Sequence, residues 1–144
     1  MLVSEILRIK GSTLFTTPPD AQVLEAVRVM AQHDIGSLVV MDHGRMTGIV
    51  TFAEVLRALS ARDGALGALR ISEIVERDPL TATGTMDVNE LRRTMLERHA
   101  RYVPVVDGTT LQGVVSFHDV AKAVLEEQSF ENRMLKSYIS DERG

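Results

Sequence analysis

The chain has 144 residues, enough for one domain or one pair of small repeats, and its 44% hydrophobic and 25% charged residues are ordinary for a globular protein. It contains no cysteine, which excludes disulfides, thiolate nucleophiles and cysteine-ligated zinc; its net charge of −4 argues against broad nucleic-acid binding, which needs a clustered basic surface. No apolar run approaches the roughly 20 residues of a membrane span, and Glu5 interrupts the stretch where a signal peptide keeps an apolar core. A soluble, cytoplasmic protein without membrane contact is expected.

A short amphipathic segment, residues 3–8, leads through Lys10-Gly11-Ser12 into a brief strand over 13–17. Pro18 and Pro19 stop that strand, and Asp20 is the expected N-cap of the next helix, worth about 1 kcal/mol. The helix carries Ala21, Val23, Leu24, Val27, Met30 and Ala31 at helical spacing, with the methionine as core filler. A hairpin follows, turning at Asp42-His43-Gly44. In its second strand Gly48 lacks a side chain where another backbone or a ligand could come close. A helix over 52–59 closes the unit, and residues 61–70, with Gly64 and Gly67, form a linker.

The same order then recurs. Sliding the chain by 65 residues superposes Thr16 on Thr81, Val23 on Val88, Met30 on Met95, Gly48 on Gly113, Phe52 on Phe117 and Ala58 on Ala123. In all there are 12 identities over the 43 positions from 16 to 58 without a gap, where chance gives about two or three. Upstream, VSEIL at 3–7 matches ISEIV at 71–75 at an offset of 68, so the first copy has three extra residues near Lys10-Gly11-Ser12. The second copy places a segment at 71–76, a strand at 80–83 and a helix at 86–98 with Val88, Leu91, Met95 and Leu96 inward. Its hairpin turns at Asp107-Gly108 and its closing helix runs from 117 to about 127. The fold class is therefore α/β (α+β), built as a tandem duplication: repeat 1 over 1–60, linker 61–70, repeat 2 over 71–127 and a helical tail over 128–144. Phe130, Met134, Leu135, Tyr138 and Ile139 fall on one face of that tail, with nothing obvious in the monomer to cover them, so a homodimer is expected.

The chemistry concentrates in the stretches GIVTFAE and GVVSFHD, at 48–54 and 113–119. Each apolar strand ends in a hydroxyl residue, Thr51 or Ser116, that caps a helix. Such a turn gathers free backbone N–H groups and a partial positive charge suited to a phosphate or sugar hydroxyl. Three residues on stands a carboxylate, Glu54 or Asp119. Each is readable as a capping-box partner or as an acceptor for a ligand, and its recurrence in both copies favours the second reading. No P-loop, GxGxxG fingerprint or paired acid and base suggests an enzyme, and the four histidines, His33, His43, His99 and His118, show no metal spacing.

With the order helix–strand–helix–strand–strand–helix established twice, residues 16–55 and 81–120 resemble two cystathionine β-synthase (CBS) domains forming a Bateman module. The tail EEQSFENRMLKSYI is similar to tails of small stand-alone bacterial proteins made of a CBS pair alone. The resemblance rests on the PDAQVLEA stretch, the VPVVD strand and the two strand-to-helix turns. It implies two repeats packed through their small sheets about a pseudo-twofold axis, with two clefts for adenosine ligands such as AMP, ADP, ATP, NAD(H) or S-adenosylmethionine. Ser116 and Asp119 would take phosphate or ribose in one cleft, with Thr13, Phe15 and Ile35 against the adenine and Tyr102 nearby. Thr51 and Glu54 would do so in the other, with Leu80, Ala100 and Ser37. Lys10, Arg101, His118 and Lys122 are the phosphate candidates.

Three departures from the family pattern carry expectations. Glu54 replaces the usual Asp and should push its carboxylate outward by on the order of 1.5 Å, weakening or emptying that cleft. Gly84 stands where repeat 1 has Pro19, loosening the start of the second helix. Ser37 and Tyr102 stand where many repeats carry Arg, which favours the less charged adenosine compounds. The Ser116 cleft ranks first. The expected function is a non-catalytic regulatory sensor of an adenosine ligand, acting on an unidentified protein partner. The alternative is a structural interaction module whose clefts stay empty and which acts through dimerisation.

Overall fold

The computed structural model of the chain describes residues 1–11 and 13–143, with side chains of the last helix as far as Ile139. Ser12 of the expected insertion and Gly144 of the tail lie outside the described residues. The first copy comprises α1 (Val3–Lys10), β1 (Thr16–Thr17), α2 (Val23–His33), β2 (Ser37–Asp42), β3 (Arg45–Thr51) and α3 (Phe52–Ala61). The second comprises a 3-10 turn (Ile71–Glu73), α4 (Val88–Arg98), β4 (Tyr102–Asp107), β5 (Thr110–Ser116) and α5 (Phe117–Arg143). This is the expected mixed α/β fold, with the order written twice and the second copy abbreviated.

The first abbreviation has a cause in tertiary pairing. The segment after Glu73 leaves the helical path because its backbone pairs with β3: Ile49 and Glu76 exchange N–H···O bonds of 3.0 and 2.9 Å. The strand expected at 80–83 shrinks to one parallel bridge between Ala82 and Val105, and its counterpart β1 is only two residues, paired in parallel with β2. Each hairpin is regular apart from one register shift, after Val40 and after Val105. The first turns through His43 and Gly44, both at positive φ (51° and 79°), the backbone that a two-residue hairpin loop demands. Gly108 supplies the positive φ of the second.

The start of α2 differs from expectation. Its N-cap is Gln22, not Asp20, and the cap makes no side-chain bond. The backbone of residues 19–23 is instead tied to the second leading segment, by Ser72 N–H to Pro19 O, Ile71 N–H to Ala21 O and Val23 N–H to Leu69 O, all 2.8–2.9 Å. In α4 the equivalent cap is Asp87, whose carboxylate accepts from the N–H groups of Asn89 and Glu90. Leu24, Ala31 and Leu96, expected inward, are exposed, and Ala26 is buried instead. The buried stripe is Val23, Ala26 and Met30, matched by Val88, Leu91 and Met95. Leu24, Ala31 and Leu96 lie roughly 80–100° around their helices from that stripe.

Two hydrophobic cores result, and they exchange their leading segments. Val3 and Ile6 of α1 lie in the core built from residues 82–124. Leu66 and Ile71 lie in the core built from residues 23–58. Corresponding backbone bonds hold both exchanges: Ser4 N–H reaches Gly84 O at 3.0 Å as Ser72 N–H reaches Pro19 O. Gly84 thus anchors α1 through the same carbonyl that Pro19 offers in the first copy.

The glycines of the second strands accept these segments at close quarters. A Cβ at Gly48 would lie 2.1 Å from the backbone oxygen of Glu76; one at Gly113 would lie 2.8 Å from a methyl of Leu7. The tail is not a separate helix, because α5 runs unbroken from Phe117 to Arg143. Among the described residues no helix is long and apolar enough to cross a membrane.

Candidate functional site

Both strand-to-helix turns fold as reciprocal caps. At the second, Ser116 N–H donates to Asp119 Oδ2 at 2.9 Å and Asp119 N–H donates to Ser116 Oγ at 3.1 Å. At the first, Thr51 N–H and its hydroxyl donate to Glu54 Oε1 at 2.8 and 3.0 Å, and Ala53 N–H donates to Thr51 Oγ1. The extra methylene of Glu54 therefore does not push its carboxylate outward. It lets the group fold back onto its own turn, as a glutamate at the third helical position does in a capping box.

The two carboxylates differ in their second partner. Glu54 Oε2 is held at 2.8 Å by Arg57, one turn along the same helix. Asp119 Oδ2 is held at 2.8 Å by Lys10 Nζ, which arrives from the end of α1 and also donates to the Val114 carbonyl at 3.0 Å. Among the described residues nothing bonds Asp119 Oδ1. Burial pushes the Asp119 carboxyl up, but the hydrogen bond from Lys10, the bond from the Ser116 N–H and the lysine's charge outweigh it. The group lies below its ordinary value of 3.8.

Two cavities open between the repeats. The first, of about 590 Å³, lies within the range of small-molecule sites. Ser116 lines it together with Thr13, Phe15, Ile35 and Tyr102, and with Lys10, Arg101 and His118. Asp119 stands one step behind, bonded to the lining lysine. The second, of about 690 Å³, is lined by Thr51, Glu54, Leu80 and Ala100, again with Tyr102 and Arg101. Ser37 lines the Ser116 cleft, not the Thr51 cleft where it was expected, and Lys122 lines neither.

Tyr102 forms the partition. Its hydroxyl lies against Gly36, where a Cβ would come within 1.7 Å, and its ring meets Phe52 edge-on with centroids 6.4 Å apart. Its counterpart 65 residues earlier is Ser37, so the two clefts are unequal in shape. Sequence reasoning missed Leu7, Asp34 and Gln112 in the first cleft, and Arg57, Asp78 and Arg98 in the second. Leu7 enters only because α1 packs on the other copy, which no local signal announces. Arg57 was legible at the i+3 position from Glu54.

Comparison with known proteins places this geometry. The CBS domain family model matches residues 3–61 and 71–126. The chain is 30% identical over 147 residues to the mitochondrial CBS domain-containing protein CBSX3 of Arabidopsis thaliana, across 95% of this chain and 71% of the relative. Its fold superposes on the CBS-domain containing protein ATU1752 of Agrobacterium tumefaciens with a TM-score of 0.80 and 29% identity, over 85% of this chain and 98% of that one. It also superposes, with a TM-score of 0.77 and 27% identity over 88% and 98% of the two chains, on the CBS domain pair of protein MJ0100. That pair was solved in complex with 5′-methylthioadenosine and S-adenosyl-L-methionine. With its doubled strand-to-helix turn and its pair of clefts, this chain belongs to the CBS domain family and carries two CBS domains.

Proposed function

We propose that the chain is a non-catalytic regulatory module that binds an adenosine-containing ligand in the Ser116 cleft. The observation that carries this reading is the turn itself. A strand buried at Gly113 and Val115 delivers capped backbone N–H groups and the carboxylate of Asp119 beside a cavity of about 590 Å³ whose wall includes Phe15, Ile35, Lys10, Arg101 and His118. A carboxylate that accepts from two vicinal ribose hydroxyls makes charge-assisted hydrogen bonds worth roughly 1.5–3 kcal/mol each before desolvation. Binding of methylthioadenosine and S-adenosylmethionine by the MJ0100 pair supports the adenosine class. A ligand bound between two repeats regulates by binding one arrangement of them better than another.

Calorimetric titration with AMP, ATP, NADH, S-adenosylmethionine and 5′-methylthioadenosine tests the reading. At least one should bind, and Asp119→Ala should weaken it at least tenfold, or about 1.4 kcal/mol. Glu54→Ala should weaken it less, because both Glu54 oxygens serve the cap and Arg57. Equal losses in the two variants would overturn the ranking of the clefts, and no binding of any compound would remove the sensor reading.

A second reading, an interaction module acting through dimerisation, is favoured by one observation. Phe130, Met134, Leu135, Tyr138 and Ile139 of α5 are 41–63% exposed, and together they make an apolar surface suited to a second copy of the chain.

A further inference from the structure

Lys10 has no lysine counterpart in the second copy: at the offset of 68 that matches the two leading segments it falls on Asp78. Its place at the end of α1, a helix packed on the opposite copy, brings its ammonium group to the Ser116 cleft. There it spans two acceptors, Asp119 Oδ2 at 2.8 Å and Val114 O at 3.0 Å, while its stem lines the cavity. The cation on the equivalent carboxylate in the other cleft, Glu54, comes from its own helix, Arg57. Asp119 itself does not line the cleft but the lysine bonded to it does, so a ligand meets the cation first.

We infer that Lys10 is a latch that sets ligand charge: it closes on Asp119 in the free protein and transfers to an anionic group of the incoming ligand. The cleft thereby selects adenosine compounds carrying phosphate over neutral or cationic ones, the reverse of the preference expected from Ser37 and Tyr102 alone. The inference rests on the adenosine reading above and names the subclass of ligand. Its logic is one of replaced partners. A phosphorylated ligand offers the ammonium group a new anion as its ribose hydroxyls donate to the carboxylate, so the lysine keeps a counter-charge and the carboxylate keeps hydrogen-bond donors. A neutral adenosine compound that takes Oδ2 breaks the same pair and leaves the lysine without an anion, and a sulfonium ligand adds a like charge beside it. The lysine can make the move because its four-carbon stem is flexible, its side chain is 42% exposed, and a half-exposed ion pair is cheap to break. Arg101 and His118 on the same wall reinforce the preference without touching Asp119.

The test is calorimetric titration of the wild type, Lys10→Met and Lys10→Arg with AMP, adenosine and S-adenosylmethionine. The wild type should prefer AMP to adenosine at least tenfold. Lys10→Met should lower AMP affinity about tenfold while leaving adenosine unchanged or tighter, and Lys10→Arg should keep most of the preference. In the wild type the AMP preference should shrink between 50 and 500 mM salt, roughly as screening of a partly exposed charge pair requires. Lys10 is exposed, so these variants leave both cores intact, and matching thermal unfolding curves check that. If AMP and adenosine bind but their ratio is the same in Lys10→Met, the latch is overturned while the adenosine reading stands. If none of the three binds the wild type, the adenosine reading falls and the latch with it.

Discussion

Asp119 does two jobs with one carboxylate. Oδ2 caps α5 through the Ser116 N–H and pairs with Lys10, and Oδ1 has no partner among the described residues. Because its folded pKa is depressed below 3.8, the folded chain holds this proton less tightly than the unfolded chain. The resulting stability is fully present above the ordinary carboxylate value and is lost as pH falls through the lower folded value. Asp119→Asn, which keeps an oxygen for the cap but removes the charge, should therefore be less stable than wild type at pH 7. In denaturant unfolding that gap should close as pH is taken below 3.8. A gap that stays constant to pH 3 would mean that the Lys10 pair contributes nothing. The hydroxyl and carboxylate of this site were legible in the sequence, because capping chemistry is local and recurs at fixed spacing. The lysine was legible only as a loose phosphate candidate, since its contact with Asp119 spans 109 positions and depends on where α1 packs. The same non-local packing brings Leu7 into the Ser116 cleft, and across the repeat interface Ser37 falls into that cleft rather than its neighbour.

Among the elements, the second strands of the hairpins show how the duplication was altered while its plan was kept. Gly48 and Gly113 correspond, and each is a place where another segment comes close, which their absence of a side chain in an apolar strand foretold. What comes close differs. At Gly48 it is the backbone oxygen of Glu76, bonded to Ile49, and at Gly113 it is the end of the Leu7 side chain. A methyl group at Gly48 must therefore break or displace a strand pairing, whereas one at Gly113 asks only for a rotamer change of a leucine. Gly48→Ala should cost roughly 2–3 kcal/mol and Gly113→Ala roughly 1 kcal/mol or less, on the scale of overpacked cores, as read by chemical denaturation. Equal costs would show that the Glu76 pairing is as yielding as a side chain. Hairpins, turns and the two long helices were readable because their signals are periodic and local. The collapse of the second leading segment into one 3-10 turn was not, because pairing with β3 overrides the helical pattern of ISEIV. Asp20 was misplaced as a cap for a related reason. The residues around it are held by the backbone of 69–72, so Val23 N–H is satisfied by Leu69 and needs no side chain.

At the scale of the whole molecule, the continuity of α5 matters more than its amphipathic pattern. Val120, Ala123 and Val124 bury the first part of the helix in a core, and every described residue from Gln128 to Ile139 is exposed. The helix thus projects beyond the body it belongs to, carrying Phe130, Met134 and Tyr138 within roughly 80° of one another and Leu135 and Ile139 on the adjoining flank. An arm of this kind gains nothing from the monomer; pairing with the arm of a second copy removes its apolar side chains from water at roughly 25 cal/mol per Å². Deletion of residues 128–144 removes no residue of either core, so the truncated chain should unfold at nearly the same denaturant concentration as the full one. Its association should change. On a sizing column with light scattering, the full chain should run with the mass of a dimer and the truncated chain with that of a monomer. A dimer that survives the deletion would move the interface to the body of the protein. There Leu56 of α3 and Leu96 of α4, 64% and 54% exposed, are the next apolar side chains to substitute.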